Sequence, residues 1–180
     1  MRITTGIYKN RRLVMPEGIR PTQDKVRKAL FDILGTVEGE MFLELYAGSG
    51  AIGLEAASRG ASKVIMVENN PRCQKAIEHN IASLKAQNCS LYPYPAEMAI
   101  KSFHMQKLRF DTIVLDPPYY QDMAKNTLQT LIAYDILAPN GFIVIQRFKK
   151  DDLPEGTGDL TLLKQAKYSN TVLSILQKKA

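Results

Sequence analysis

The sequence has few of the residues that build metal clusters or disulfide frameworks. Its 180 residues include no tryptophan, two histidines and two cysteines, Cys73 and Cys89. Two cysteines are too few for a disulfide framework, and their spacing is not typical of a metal site. We therefore expect reduced, structural cysteines in a cytoplasmic protein, and no metal ion.

Long apolar segments are also absent. No stretch approaches the run of about 18 apolar residues that a membrane-spanning helix needs, and the opening MRITTGIYKNRR lacks the apolar region of a secretory signal. With 45% hydrophobic and 23% charged residues, the chain can bury a core and does not have a disordered composition. We predict one compact domain with no membrane association, and we favour a monomer.

Positive charge is concentrated at one end of the chain. Residues 1–30 hold eight Lys or Arg and two acidic residues, whereas residues 31–180 hold 16 of each kind. A cationic end on a neutral body favours a polyanionic partner such as nucleic acid over a merely solvated surface. We predict a basic arm over residues 1–20, folded as a β-hairpin from segments 2–6 and 11–15. The predicted nucleic-acid contacts are Arg2, Lys9, Arg11, Arg12, Arg27 and Lys28.

From residue 41 onward, apolar strand-like runs alternate with segments of helical periodicity. This alternation is typical of a parallel α/β sheet with right-handed crossovers, and two closing strands add one antiparallel strand. We therefore predict that residues 21–180 form a single α/β domain. The predicted strands are 41–46, 63–67, 90–94, 110–115, 142–146, 160–166 and 171–177.

A glycine-rich loop follows the first of these strands. The sequence LELYAGSGAIG contains G-x-G-x-x-G at Gly48, Gly50 and Gly53, between a strand and a helix, a context that predicts nucleotide binding. Glu68 ends the next strand, where an acid can hydrogen-bond ribose hydroxyls. The ligand is either a dinucleotide or S-adenosylmethionine. Glu44 favours the second, because a carboxylate repels a pyrophosphate but attracts an amino group and a sulfonium.

A second motif, Asp116-Pro117-Pro118-Tyr119, ends the strand at 110–115. The exocyclic amine of a base is a poor nucleophile because its lone pair delocalises into the ring. A carboxylate and a backbone carbonyl that accept both N–H bonds keep this nitrogen closer to tetrahedral. The prolines rigidify the turn, and Tyr119 offers a face on which a flipped-out base can stack. At the end of a parallel strand, the motif predicts methyl transfer to a base amine.

These features together resemble the RsmD family, bacterial S-adenosylmethionine-dependent methyltransferases that modify guanine N2 in 16S rRNA. The glycine loop and Asp-Pro-Pro-Tyr occur in many methyltransferases, whereas the basic arm and the RPT motif narrow the resemblance to this family. The resemblance covers nearly the whole chain, and its remaining motifs are RPT at 20–22, VRKALF at 26–31, LELYAGSGAIGLEAASRGA at 43–61 and VENN at 67–70.

The resemblance implies a Rossmann-like class I methyltransferase fold, with a seven-stranded, mostly parallel sheet and an N-terminal β-hairpin extension. It implies direct methyl transfer to the N2 amine of a flipped-out guanine. The implied partner is 16S rRNA, within a small ribosomal subunit or its assembly intermediate. The implied cofactor is S-adenosylmethionine, bound by Arg20, Thr22, Glu44, Ala47, Gly48, Gly50, Glu68, Asn69 and Ala96. The implied catalytic residues are Asp116, Pro117, Pro118 and Tyr119.

The chain departs from the family pattern at two positions. Relatives usually place an Asp where this chain has Pro95, which leaves the Ala96 amide to meet the adenine ring. They also often end the fifth strand with Glu, where this chain has Gln146.

Two other functions stay open at this point. A DNA adenine-N6 methyltransferase also uses Asp-Pro-Pro-Tyr, although 180 residues leave little room for a separate target-recognition region. An RNA-binding or ribosome-assembly factor could keep the cofactor pocket without catalysis.

Overall fold

The structure is a computed structural model that describes residues 1–18, 24–118, 122–151, 153 and 157–179. The strands are β1 (Met41–Leu45), β2 (Lys63–Val67), β3 (Cys89–Tyr92), β4 (Phe110–Leu115), β5 (Leu137–Phe148), β6 (Leu160–Tyr168) and β7 (Thr171–Lys178). The helices are α1 (Asp24–Leu34), α2 (Ala51–Ser58), α3 (Pro71–Leu84), α4 (Ala96–Met105) and α5 (Met123–Tyr134).

The strand order is β3-β2-β1-β4-β5-β7-β6 in one seven-stranded sheet. Strands β1 to β5 pair in parallel, and β7 runs antiparallel to both of its neighbours, β5 and β6. These pairings confirm the predicted α/β class and the mostly parallel sheet. The chain order reverses between β1 and β4, and ligands of such sheets bind at this reversal, beyond the carboxyl ends of the strands.

Local sequence explains where the elements begin and end. Helix α3 begins at Pro71 because proline suits the first helical position and the Asn70 side chain accepts a hydrogen bond from the Arg72 N–H. Strand β3 ends at Tyr92, earlier than predicted, because Pro93 has no N–H to donate. Strand β5 is longer than predicted, because the residues before 142 also belong to it: Leu137 pairs with Phe110 of β4, and the register shifts before Phe142 pairs with Thr112.

Two apolar layers flank the sheet, as both faces of a parallel sheet must be covered. One layer joins α1, α2 and α3 to the N-terminal segment. The other is built largely from α4 and α5, and includes Phe103 and Leu128. None of the helices described is long and apolar enough to cross a bilayer.

Residues 1–18 fold back on themselves in the antiparallel sense of the predicted hairpin, with the Ile3 N–H donating to the Arg11 carbonyl and the Leu13 N–H to the Met1 carbonyl, but they do not form two regular strands. Arg2 and Arg12 form one isolated bridge. Much of the remaining hydrogen bonding goes to helices, because the segment lies on α2 and α3. At Gly6, with φ of 81°, a Cβ would lie only 1.6 Å from the Ser58 carbonyl oxygen. The glycine therefore permits this close packing.

Candidate active site

The carboxyl ends of β1, β2 and β4 meet at the glycine loop. After β1, the backbone is left-handed at Tyr46, Gly48 and Gly50, with φ of 61°, 57° and 74°. Glycine is required at Gly50 for a second reason, since a Cβ there would lie 2.7 Å from the Met66 sulfur. The loop can therefore turn tightly from β1 into α2 while its backbone lies against β2.

Glu68 fixes this loop to the end of β2. One carboxylate oxygen accepts a hydrogen bond from the Gly48 N–H at 2.8 Å, and the other accepts one from the Asn70 N–H at 2.9 Å. The residue is 8% exposed, and its neighbour Asn69 is exposed. Each carboxylate oxygen can accept two hydrogen bonds, so Glu68 can hold the loop and also accept hydrogen bonds from a ribose.

Glu44, on β1, lies against the start of α2. Its Oε2 accepts a hydrogen bond from the Gly53 N–H at 2.8 Å, and the residue is 2% exposed. A Cβ on Gly53 would come within 2.9 Å of the same oxygen, so this glycine allows the helix to approach the carboxyl group. The structure thus gives Glu44 an anchoring role that the sequence did not predict, and its contact with a ligand stays a prediction.

Three carboxyl groups share one electrostatic environment at the ends of β1, β2 and β4. Burial raises the pKa of Glu44 to about 8; the Gly53 hydrogen bond opposes this rise, and the charges of Asp116 and Glu68 add to it. The charges of Asp116 and Glu68 thus act on Glu44 from the neighbouring strand ends. Carboxylate charge beside the loop disfavours an anionic ligand and favours a cationic one, although Glu44 itself is largely protonated near pH 7.

The Asp116-Pro117-Pro118 turn begins directly after β4. The Asp116 N–H lies 3.4 Å from the Leu45 carbonyl oxygen, so the turn starts beside the end of β1. Asp116 is half-buried, Pro117 is buried and Pro118 is exposed. The carboxyl group of Asp116 therefore belongs to the point where the chain order reverses. The predicted stacking residue, Tyr119, lies outside the described residues.

Two other predicted cofactor residues, Ala47 and Ala96, are among the described residues, and both lie at the carboxyl ends of the strands. Ala47 is buried, and its N–H donates a hydrogen bond to the Val67 carbonyl at 3.0 Å. Ala96 is the first residue of α4, which begins just beyond the end of β3. Arg20 and Thr22 lie outside the described residues, so their predicted contacts stay predictions.

Most of the predicted RNA-contacting side chains lie on the surface. Arg11 is exposed but not free, because its guanidinium donates a hydrogen bond to the Ser83 carbonyl at the end of α3 at 2.8 Å. The N-terminal segment is therefore a docked basic surface. Its exposed members are Arg2, Lys9, Arg11 and Arg12, and Lys28 of α1 is exposed as well.

Arg27 was wrongly predicted to contact RNA. It is 1% exposed. Its guanidinium donates a hydrogen bond to the Arg2 carbonyl at 2.6 Å and lies 3.9 Å from the Glu55 carboxylate. Glu55 is fully buried on α2, and a buried carboxylate needs a counter-charge. Arg27 therefore links α1, α2 and the N-terminal segment from inside the molecule.

Asn80 of α3 is a positioning residue that the sequence analysis missed. Its side chain accepts a hydrogen bond from the Val14 N–H at 2.8 Å and donates to the carbonyls of Val14 at 3.0 Å and Ser49 at 3.1 Å. It therefore joins the N-terminal segment to the glycine loop. A signal was present, since Asn80 is a polar residue at helical spacing from the buried Cys73 and Ile77.

Proteins of similar sequence and structure match nearly the full length of the chain. Ribosomal RNA small subunit methyltransferase D of Escherichia coli K12 is 31% identical, over 100% of this chain and 91% of the relative. The Haemophilus influenzae protein of the same name is also 31% identical, over 92% of this chain and 87% of the relative.

Solved structures agree with the sequence relatives. The Escherichia coli protein yhhF superposes with a TM-score of 0.88 at 30% identity, covering 100% of this chain and 98% of the other. A hypothetical protein of a Thermus species gives a TM-score of 0.85 at 29% identity, with 100% and 99% covered. The family model described as Conserved hypothetical protein 95 matches residues 1–177. The chain therefore belongs to this family, together with ribosomal RNA small subunit methyltransferase D, as the resemblance to the RsmD family predicted.

Proposed function

We propose that this protein transfers a methyl group from S-adenosylmethionine to the exocyclic N2 amine of a guanine in 16S rRNA. The observation that carries the proposal is that the ends of β1, β2 and β4 bring together the glycine loop, the Glu68 carboxylate that holds it and the Asp116-Pro117-Pro118 turn. The relatives named ribosomal RNA small subunit methyltransferase D support rRNA as the substrate class. The proposed setting is the cytoplasm, with a small ribosomal subunit or its assembly intermediate as partner.

The residues at the loop fit S-adenosylmethionine better than a dinucleotide. A pyrophosphate at this helix N-terminus would approach the Glu68 carboxylate, whereas an amino group and a sulfonium would be attracted to it. Glu44, whose raised pKa keeps it largely protonated near neutral pH, adds little to this charge. Glu68 would hold the ribose hydroxyls, the loop from Ala47 to Gly50 the methionine end, and the Ala96 amide the adenine. When bound, S-adenosylmethionine supplies a methyl group that its sulfonium already activates, and the electron pair of the broken C–S bond stays on sulfur.

The Asp116 turn would hold the acceptor. The Asp116 carboxylate and the Pro117 carbonyl would accept the two N–H bonds of the guanine amine and aim its lone pair at the methyl carbon. The nitrogen gains positive charge as the N–C bond forms, and Asp116 stabilises that charge. The methylated nitrogen is then acidic, so its proton can leave to solvent without a dedicated strong base. In this direct transfer, the enzyme contributes alignment and charge placement.

The target base must leave the RNA stack to reach this turn. Flipping costs a few kcal/mol, which stacking on Tyr119 would partly offset. The exposed Arg2, Lys9, Arg11 and Arg12 would hold the phosphates of the flanking RNA. In this proposal residues 1–20 act as the RNA-binding arm and residues 21–180 as the transfer domain.

The donor and the substrate class are tested with one set of labelled reactions. Methyl-labelled S-adenosylmethionine is offered with naked 16S rRNA, assembled small subunits and duplex DNA, and binding of the donor and of NAD is measured by calorimetry. We expect label in the RNA or the subunit, and much weaker binding of NAD. Glu68→Ala should weaken donor binding by about 1.5–3 kcal/mol for each hydrogen bond removed, whereas Glu78→Ala, on the exposed side of α3, should not. Equal NAD binding, or label in DNA alone, would overturn the proposal.

A further inference from the structure

Gln146, near the end of β5, carries a buried acceptor for which the described part of the chain supplies no donor. The residue is 6% exposed, and its Oε1 has no hydrogen-bond partner among the described residues. A buried amide oxygen that gives up water and gains no protein donor destabilises the fold. Such orphaned groups are uncommon and call for a ligand, a water or a functional cause.

The strand register places Gln146 beside the proposed acceptor site. Leu115 of β4 pairs with Ile145 of β5 in parallel, so Asp116 and Gln146 are the next residues on neighbouring strands. Adjacent strands lie about 4.8 Å apart. Side chains alternate along a strand, so Asp116 and Gln146 both project to the face that carries Val114 and Val144, which belong to the layer of α1, α2 and α3.

Two neighbours of Gln146 on that face are apolar. Across the sheet, Leu173 of β7 pairs with Gln146, and Leu173 and Val144 are both buried in the same apolar layer. Neither side chain can donate a hydrogen bond to the amide. A group that enters beside Asp116 can supply the donor that Oε1 needs.

We propose that Gln146 is a specificity-determining residue that accepts a hydrogen bond from the N1–H of the target guanine. The proposal rests on transfer to the guanine N2 amine. On the Watson–Crick edge, N1–H is the immediate neighbour of that amine, so a base held by Asp116 presents N1–H to the next strand. Adenine and cytosine carry an acceptor at the corresponding ring nitrogen. An acceptor at Gln146 therefore pairs with guanine and repels the other amino bases.

The test removes the acceptor and the donor separately. Gln146→Met keeps the length of the side chain but cannot accept, whereas Gln146→Glu keeps an acceptor and cannot donate. Gln177→Met is the matched control, because Gln177 of β7 pairs with Phe142, toward the other end of β5, and donates to the Asn140 carbonyl. Each protein is given its RNA substrate with either guanine or 2-aminopurine at the methylated position. The analogue keeps the amine and lacks N1–H.

The wild type and the Gln177→Met protein should prefer guanine over 2-aminopurine by about 10- to 100-fold in kcat/KM, since a site built for a donor rejects an analogue without it. Gln146→Glu should keep this preference. Gln146→Met should lose activity on guanine and show almost no preference, while its S-adenosylmethionine affinity stays unchanged. The proposed role of Gln146 is overturned if Gln146→Met prefers guanine over 2-aminopurine as strongly as the wild type does. It is also overturned if Gln146→Glu loses that preference. If the wild type forms no N2-methylguanosine at all, the proposed function fails as well, which is a separate and recognisable result.

Discussion

Glu44 and Glu68 both hold the glycine loop in place, although the sequence alone predicted only ligand contacts for them. Glu68 accepts hydrogen bonds from the Gly48 and Asn70 N–H groups, and Glu44 accepts one from Gly53. These carboxyl groups shape the loop before any ligand arrives. Because the Glu44 carboxyl group has different pKa values in the folded and unfolded states, the free energy of unfolding should depend on pH.

The prediction at the residue scale concerns the pH dependence of the free energy of unfolding. Burial raises the pKa of Glu44 to about 8 in the folded protein, whereas the unfolded carboxyl group titrates near its ordinary pKa of about 4.3. The folded state therefore binds more protons between these values. The contribution of Glu44 to the free energy of unfolding is fully present below the unfolded pKa and is lost as the pH rises through about 8.

Urea unfolding between pH 5 and about pH 9 should show this loss in the wild type. Glu44→Gln should remove this part of the pH dependence, because the amide can still accept the Gly53 hydrogen bond without titrating. Glu78→Gln, at an exposed position on α3, should follow the wild type. A constant difference between Glu44→Gln and the wild type over this range would show that Glu44 does not titrate as described.

At the scale of elements, the N-terminal segment is the feature that the sequence described least well. Its basic composition predicted a nucleic-acid-binding arm but not its docking onto helices: Ile3 and Leu13 are buried, and Asn80 binds both backbone groups of Val14. Composition reports the charge of a segment but not which helix will satisfy its backbone. Arg27 shows the same limit, because its partner Glu55 is distant in sequence and only the fold brings the two together.

The prediction at this scale is that the docked segment binds RNA phosphates. Replacing Arg11 and Arg12 with alanine should weaken RNA binding and reduce the slope of log affinity against log salt by roughly 0.7–0.9 for each phosphate that the variant no longer neutralises. Affinity for S-adenosylmethionine should hardly change. The matched control replaces two exposed lysines outside the N-terminal segment, Lys63 at the start of β2 and Lys179 directly after β7. An unchanged salt slope in the arginine variant would mean that this charge does not bind RNA.

At the scale of the whole molecule, the sequence predicted the architecture well because its signals were local. Continuous apolar runs marked the parallel strands, and the glycine loop and the proline turn marked the ends of β1 and β4. The anchoring role of Glu44 was not predictable, since it depends on the approach of α2 permitted by Gly53. The missing donor for the Gln146 oxygen among the described residues was not predictable either, because it depends on which strands pair beside it, and one of these brings the apolar Leu173 next to it.

The central proposal for the whole molecule is methyl transfer to guanine N2 where the glycine loop and Asp116 meet, with the basic N-terminal surface holding the RNA. The most direct test is mass spectrometry of nucleosides after a single turnover with labelled S-adenosylmethionine and the accepted RNA substrate. The wild type and Asp111→Asn, altered at the other end of β4, should form labelled N2-methylguanosine. Asp116→Ala should form it more slowly by about 100-fold or more, with donor binding largely retained. Label on another atom would contradict this mechanism. So would an Asp116→Ala protein that folds, binds the donor and forms N2-methylguanosine at the wild-type rate.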